Sequence, residues 1–300
     1  MRNLTGRYFG VTLPFILCSV LPGQPAKCTQ DTVVGTYAIA TQGTMLVPSS
    51  TGAQPGAIPA ASLAILSIDS QGVMSGKGMG AIGSTADPLP GSGSIQVNSD
   101  CTAVFKTGLG MTSMDVILDE GKEIRGLVFG GPGAVPMMLV TGRRISRVPS
   151  AVTTTQCSAA DVHGMYAFTY SGTYMSPQLG SQTALMVGLA SIDYDGQLSG
   201  SGKSSIGGTS RDFTIASGQI NVNSDCIATA HMSVESRPLS DEGESWIVVL
   251  EGGSELWAIQ SSSSIAKPVV SGTWKRISPI PSARGNSAGT EAVRPIARRN

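Results

Sequence analysis

Charge is sparse in this chain: Lys, Arg, Asp and Glu make up 13% of its 300 residues, about half the share of an average globular protein. The formal net charge is zero, and setting aside the arginines near both termini leaves the body mildly acidic. No basic face with interleaved aromatics is present, which excludes nucleic acid as a partner class. Histidine is limited to His163 and His231, without a His-x-x-x-His or cysteine–histidine cluster. The usual signatures of a catalytic base or a zinc site are therefore missing, and both histidines read as ordinary strand or strand-edge residues. Long segments of Ala, Leu, Glu, Lys and Arg are also lacking, which argues against helices. The apolar run from Val11 to Leu21 is broken by Pro14 and is too short to span a bilayer as a mature helix. With Arg2 and Arg7 ahead of it and Ala26 behind, it reads as a signal peptide over residues 1–26. After cleavage no integral membrane span is expected, and the mature protein would be secreted or periplasmic.

Turn formers are plentiful. The chain has 38 glycines and 17 prolines, and they punctuate short alternating segments as strands and turns require. One turn occurs twice, as Val97-Asn98-Ser99-Asp100-Cys101 and Val222-Asn223-Ser224-Asp225-Cys226. Other pairs follow the same order: Gly35-Thr36-Tyr37 with Gly164-Met165-Tyr166, Ile68-Asp69 with Ile192-Asp193, Ser75-Gly76 with Ser199-Gly200, and Arg144-Ile145-Ser146 with Arg276-Ile277-Ser278. The chain is therefore a duplication. Its units run over 27–147 and 157–278, joined by a Pro/Thr-containing linker at 148–156 and followed by a disordered tail at 279–300.

Each unit shows eight alternating segments, from near 34–44 to 137–146 and from near 163–174 to 270–278. Eight short strands with tight turns predict an all-β fold of two tandem antiparallel eight-stranded barrels, closure removing exposed edges. Two-sheet sandwiches are the alternative. Cleavage of the leader would remove Cys18 and leave Cys28, Cys101, Cys157 and Cys226. Each unit then has one cysteine before its first strand and one after the duplicated turn, which selects Cys28–Cys101 and Cys157–Cys226 as disulfides. The second strand of each unit is apolar on both faces: Leu63 and Ile65 alternate with Ala64, Leu66 and Ile68, and Val187 and Leu189 with Gly188, Ala190 and Ile192. One face must meet the barrel core. The other meets either the sister repeat or the unit's own loop, Pro48 to Pro59.

Several chemical motifs fail on context. Gly78-Met79-Gly80-Ala81-Ile82-Gly83 has dinucleotide-binding spacing but lies among strands, and Gly202-Lys203-Ser204 lacks the leading glycine of a phosphate loop. Asp193-Tyr194-Asp195-Gly196 could offer oxygens to calcium, yet its counterpart Asp69-Ser70-Gln71-Gly72 has one carboxylate fewer, and a hairpin turn explains both. Glu123 and Glu255 recur at strand entries. They are a carboxylate pair in separate repeats, or rim charges bonded to Arg144 and Arg276.

The order Cys, Gly-x-Tyr, Ile-Asp-x-x-Gly, Ser-Gly, Val-Asn-x-Asp-Cys, Arg-Ile-Ser, spanning Cys28 to Ser278, resembles poorly characterised exported bacterial tandem-repeat proteins. Their repeats look like small calycin or allene-oxide-cyclase-like β-barrels. The resemblance implies fold and export; no catalytic residue carries over. No catalytic, cofactor or metal residue is assigned, and no cofactor is expected. The favoured role is a non-enzymatic exported protein that binds a small apolar ligand or an envelope or surface component. The first alternative is a cyclase- or isomerase-like barrel enzyme on an apolar substrate, with Tyr37, Tyr166, Glu123 and Glu255 as candidate pocket groups. The second is a structural or adhesive module.

Overall fold

Among the described residues, sixteen strands form in the expected order and close into two antiparallel barrels, not sandwiches. The fold is seen in a computed structural model, described over residues 27–47, 56–83, 85–131, 133, 135–147, 157–176, 180–236 and 239–278. The proposed leader, linker and tail lie outside the described residues, as does 48–55 of the first long loop.

The first barrel comprises β1 (Gly35–Val47), β2 (Gly56–Ile68), β3 (Val73–Ile82), β4 (Thr85–Val97), β5 (Thr102–Thr107), β6 (Thr112–Leu118), β7 (Glu123–Gly130) and β8 (Val135–Ser146). The second comprises β9 (Gly164–Ser176), β10 (Gly180–Ile192), β11 (Leu198–Ile206), β12 (Thr209–Val222), β13 (Ile227–Ser236), β14 (Leu239–Leu250), β15 (Glu255–Ser263) and β16 (Lys267–Ser278). Neighbours in sequence are neighbours in the sheet, and β8 and β16 return to pair with β1 and β9.

The strands outrun their sequence signal mainly at β2, β4, β12 and β14. In β4 the extension includes Pro88 and Pro90, which pair with Met79 and Lys77 of β3. The ladder to β5 covers Gly93–Val97 only. Both prolines thus sit where β4 overhangs its shorter neighbour and needs no donor on that side.

The duplicated turn has the same conformation in both copies. Cys101 and Cys226 adopt positive φ, 64° and 63°, the left-handed position that ends a tight hairpin loop. The Cys101 amide bonds to the Asn98 carbonyl at 3.1 Å. The Asp100 carboxylate accepts from the amide and hydroxyl of Thr102 at 3.0 and 2.7 Å. Both expected disulfides are present, one per barrel. Asp69 and Asp193 each accept two backbone amides of their own hairpins, so those carboxylates shape turns.

One end of each barrel is plugged by the short helical segment ahead of its first strand, Gln30–Val33 or Ala159–Val162. Arg144 donates to the Tyr37 hydroxyl at 2.9 Å and to the Thr32 carbonyl, and Tyr37 donates to the Gly121 carbonyl at 2.6 Å. Arg276, Tyr166, Asp161 and Gly253 repeat the arrangement. Gly121 and Gly253, both with φ of +80°, admit no Cβ because it would collide with the Thr32 or Asp161 carbonyl oxygen.

The two-faced apolar second strand has different outcomes in the two repeats. In β2, Ala60, Leu66 and Ile68 enter the first barrel's core, whereas Ala61 and Leu63 enter a separate apolar layer against the second barrel. That layer places Ala38, Ala61, Leu63 and Ala81 against Trp246, Val248, Trp257 and Ile259. Small side chains of one barrel receive large ones of the other. Arg143 reaches across to Glu251 and Glu255, and Lys77 to Asp225. In β10 the corresponding outward residues Leu185, Val187 and Leu189 are exposed.

Candidate binding cavity in the second barrel

The duplicated barrels have unequal interiors. Leu66, Phe105, Ile117, Val128, Met138 and Val140 fill the first and leave a space of about 80 Å³. The second encloses a cavity of about 410 Å³, within the range that accommodates small organic ligands. Its walls are longer: β13, β14 and β15 have 10, 12 and 9 residues where β5, β6 and β7 have 6, 7 and 8. The extra length extends the barrel away from its plugged end. The cavity occupies that half and reaches Ser176, Gln182, Ile206, Ser236 and Ile265.

The lining is apolar and aromatic. Phe168, Tyr170, Tyr174, Phe213 and Trp274 contribute rings, while Met186, Met232 and Val234 line other walls. The register places Tyr170, Tyr174 and Trp274 where the first barrel has Thr41, Met45 and Gly142. Phe168 stacks on Trp274 with ring centroids 5.0 Å apart, and Tyr170 meets Trp274 edge-on at 6.4 Å. Such ring arrangements stiffen a wall as well as burying area.

The polar groups are few and oriented. Trp274 Nε1 donates to the Tyr170 hydroxyl at 3.0 Å, and Tyr174 donates to Gln260 Oε1 at 2.7 Å. Burial raises the pKa of both phenols above the ordinary tyrosine value, so both remain neutral near pH 7. Asp241, at the wall, accepts from Ser263 at 2.8 Å and from the Ser264 amide at 2.9 Å. Arg211 also lines the cavity, and its Nη1 has no hydrogen-bond partner among the described residues. These groups can fix the orientation of a largely apolar molecule with a polar head.

The residues singled out from sequence lie elsewhere. Tyr37 and Tyr166 hold the plugged ends and are absent from the linings of the two barrel interiors. Burial raises the pKa of both, opposed by Arg144 and Arg276. Glu123 and Glu255 come together in one groove between the barrels, with Arg125, Arg143, Arg144 and Lys275. Their ionic partners are Arg125 and Arg143, not Arg144 and Arg276, whose side chains turn inward to the tyrosines. Trp257 also donates to Glu255, at 2.8 Å. His163 stacks on Tyr194 with centroids 3.7 Å apart, and His231 faces Glu244 at 3.3 Å across neighbouring strands. The cavity carries no sequence motif; the available signal was the concentration of aromatics in the second repeat, which holds all three tryptophans.

Fold and cavity together define a tandem eight-stranded β-barrel protein with one hollow and one filled barrel. No protein-family model matches the chain, and no curated protein matches it. Among solved structures, it is similar to a DUF3598-family protein of unknown function from Nostoc punctiforme, at 9% identity and TM-score 0.24 over 84% of this chain and 100% of that one. It is also similar to an AttH-like protein from Nitrosomonas europaea, at 8% identity and TM-score 0.23 over 86% and 98%. A third is the apo haemoglobin receptor HpuA from Kingella denitrificans, at 11% identity and TM-score 0.28 over 82% and 87%. Likeness at this level carries no argument about role. Among the described residues, no helix is long and apolar enough to cross a membrane.

Proposed function

We propose that this protein is an exported binding protein whose second barrel holds a small, predominantly apolar ligand. The observation that carries the reading is the contrast within one duplicated fold: about 410 Å³ in the second barrel against about 80 Å³ in the first. Where the first barrel has Thr41, Met45 and Gly142 the second has Tyr170, Tyr174 and Trp274, yet its longer walls keep space between them. A barrel serving only as a structural spacer needs no such interior. Two disulfides at the plugged ends support an oxidising compartment, in agreement with the leader-like first segment.

The polar groups favour binding. The two cavity tyrosines are neutral and already donate or accept within the wall, and the Asp241 carboxylate is occupied by Ser263 and Ser264. A ligand with an acceptor head would find Arg211 as the cation of the lining. Trp274 is a built-in reporter. Titration of the full chain with anilinonaphthalene sulfonate and with fatty acids from octanoate to palmitate should give saturable binding and a change in Trp274 emission. Filling much of the cavity with Met186→Phe, Met232→Phe and Val234→Phe together should weaken saturable binding, read by anilinonaphthalene sulfonate fluorescence, while circular dichroism stays unchanged. Non-saturable uptake by the wild type, or equal binding by the filled variant, would remove the second barrel as the site.

A further inference from the structure

We propose that the chain assembles head to tail with further copies of itself, through two exposed surfaces that repeat its own contact between barrels. The contact inside the chain is not symmetric. The outer face of β1–β3 in the first barrel meets the outer face of β14–β16 in the second. Each barrel descends from the same unit and so carries a version of both surfaces. One of each is used within the chain. Among the described residues, the outer face of β9–β11 in the second barrel and that of β6–β8 in the first are left uncovered, apart from the residues of β7 and β8 that line the groove between the barrels.

The strand registers identify the equivalent positions. Ile68 and Ile192 pair with Gly35 and Gly164, so Ala61, Leu63 and Ile65 correspond to Leu185, Val187 and Leu189. The amides of Ile117 and Val249 both bond to the carbonyl of their repeat's turn cysteine, so Trp246 and Val248 correspond to Met114 and Val116. Glu123 with Glu255 and Arg144 with Arg276 likewise match Ile259 to Leu127 and Val269 to Met137. Within the contact, Ala61, Leu63, Trp246, Val248, Ile259 and Val269 are at most 9% exposed. Their seven counterparts Leu185, Val187, Leu189, Met114, Val116, Leu127 and Met137, counting that of Ile65, are between 45% and 59% exposed. Three counterparts are polar, Arg125 for Trp257, Ser205 for Ala81 and Lys203 for Met79, but the seven exposed apolar residues form patches of the kind that mark interaction sites.

The two free surfaces are matched in size and not stepped: Leu185, Val187 and Leu189 would meet Met114, Val116, Leu127 and Met137, where the internal contact sets alanines against Trp246 and Trp257. The ionic part of the internal contact is not carried over: Arg143 bonds Glu251 and Glu255 there, whereas the equivalent Lys275 and Glu123 line the groove between the barrels of one chain and Glu123 bonds Arg125. The Lys77–Asp225 pair has no equivalent, because Ser201 stands in place of the lysine.

The proposed surfaces differ from each other, so pairing one with the other leaves one of each free. Such an assembly grows as a ring or a helical filament instead of stopping at a two-fold dimer. It does not depend on whether the cavity is occupied. Sedimentation velocity and negative-stain microscopy of the mature protein over a concentration series should show species larger than dimers. Val187→Asp and Leu127→Asp change exposed residues on opposite surfaces, and each variant should be monomeric with wild-type circular dichroism. An equimolar mixture of the two should form a dimer and nothing larger, since each retains the surface that the other lacks. A wild type that stays monomeric throughout, oligomers that survive either aspartate substitution, or a mixture that remains monomeric would overturn the proposal.

Discussion

Asp115 tests the energetics of the filled barrel. It lies on β6 with its side chain fully buried in the first barrel, where the second repeat has the buried Ile247. Ser113 donates to Oδ2 at 2.7 Å, whereas Oδ1 has no hydrogen-bond partner among the described residues. Burial pushes the carboxyl pKa from 3.8 up to about 6, the Ser113 bond pulling the other way. Between these two values the native state therefore holds a proton that the unfolded chain has released. Stability from this group is fully present below the unfolded value and falls as pH rises toward about 6, above which the loss is complete. A rise of about two pH units corresponds to about 3 kcal/mol. Asp115→Asn keeps the shape and removes the charge. Denaturant midpoints followed by circular dichroism should show the variant more stable than wild type by about that amount near pH 7, with the advantage disappearing near pH 4. Comparing the two proteins at each pH isolates this group from Asp100, whose pKa is lowered by its bonds to Thr102. A constant difference between wild type and variant across the interval would refute the reasoning.

Removing one disulfide with Cys157→Ser and Cys226→Ser should lower stability by about 4 kcal/mol in the chain-entropy description; an unchanged denaturant midpoint would contradict it. Arg276→Leu leaves the Tyr166 hydroxyl and the Asp161 carbonyl without their cationic partner. It should destabilise the second barrel by about 2 kcal/mol, with faster hydrogen exchange at Gly164–Phe168 as the local readout. Trp257→Ala should cost about 3–5 kcal/mol and uncouple the barrels, turning a shared unfolding transition into two; a single unaltered calorimetric peak would show that the layer between the barrels does not couple them.

Strand order, closure and disulfide pairing were readable because they are written locally and twice. Val97–Cys101 and its copy need side chains that cap a turn and a cysteine that tolerates positive φ, and those requirements leave a recognisable string. The apolar parity of β2 likewise showed that both its faces are covered, and the sister barrel proved to be the second cover. Pattern could not show that β10, with the same parity, would be left open. Exposure there depends on which of two similar surfaces mate, which is a property of the assembled chain.

The cavity was hidden for a related reason. A void is defined by distances between residues far apart in sequence, and no spacing rule connects Tyr174 to Gln260 or Trp274 to Phe213. Tyr37 and Tyr166 stood out because they recur, and recurrence selected what the repeats share: their plugs. The cavity is where the repeats differ, at Tyr170, Tyr174 and Trp274. A comparison directed at differences would have found its aromatics from sequence.

The arginine-sealed plug has a consequence for exchange. All the duplicated landmarks, including the cysteine turns, the Asp-anchored hairpins and the Arg-Ile-Ser ends, cluster at the plugged end of their barrel, so a ligand of the second barrel would enter and leave at the opposite end, where Ser176, Gln182 and Ile265 line the cavity. Tethering the protein by its base would then leave loading and unloading undisturbed.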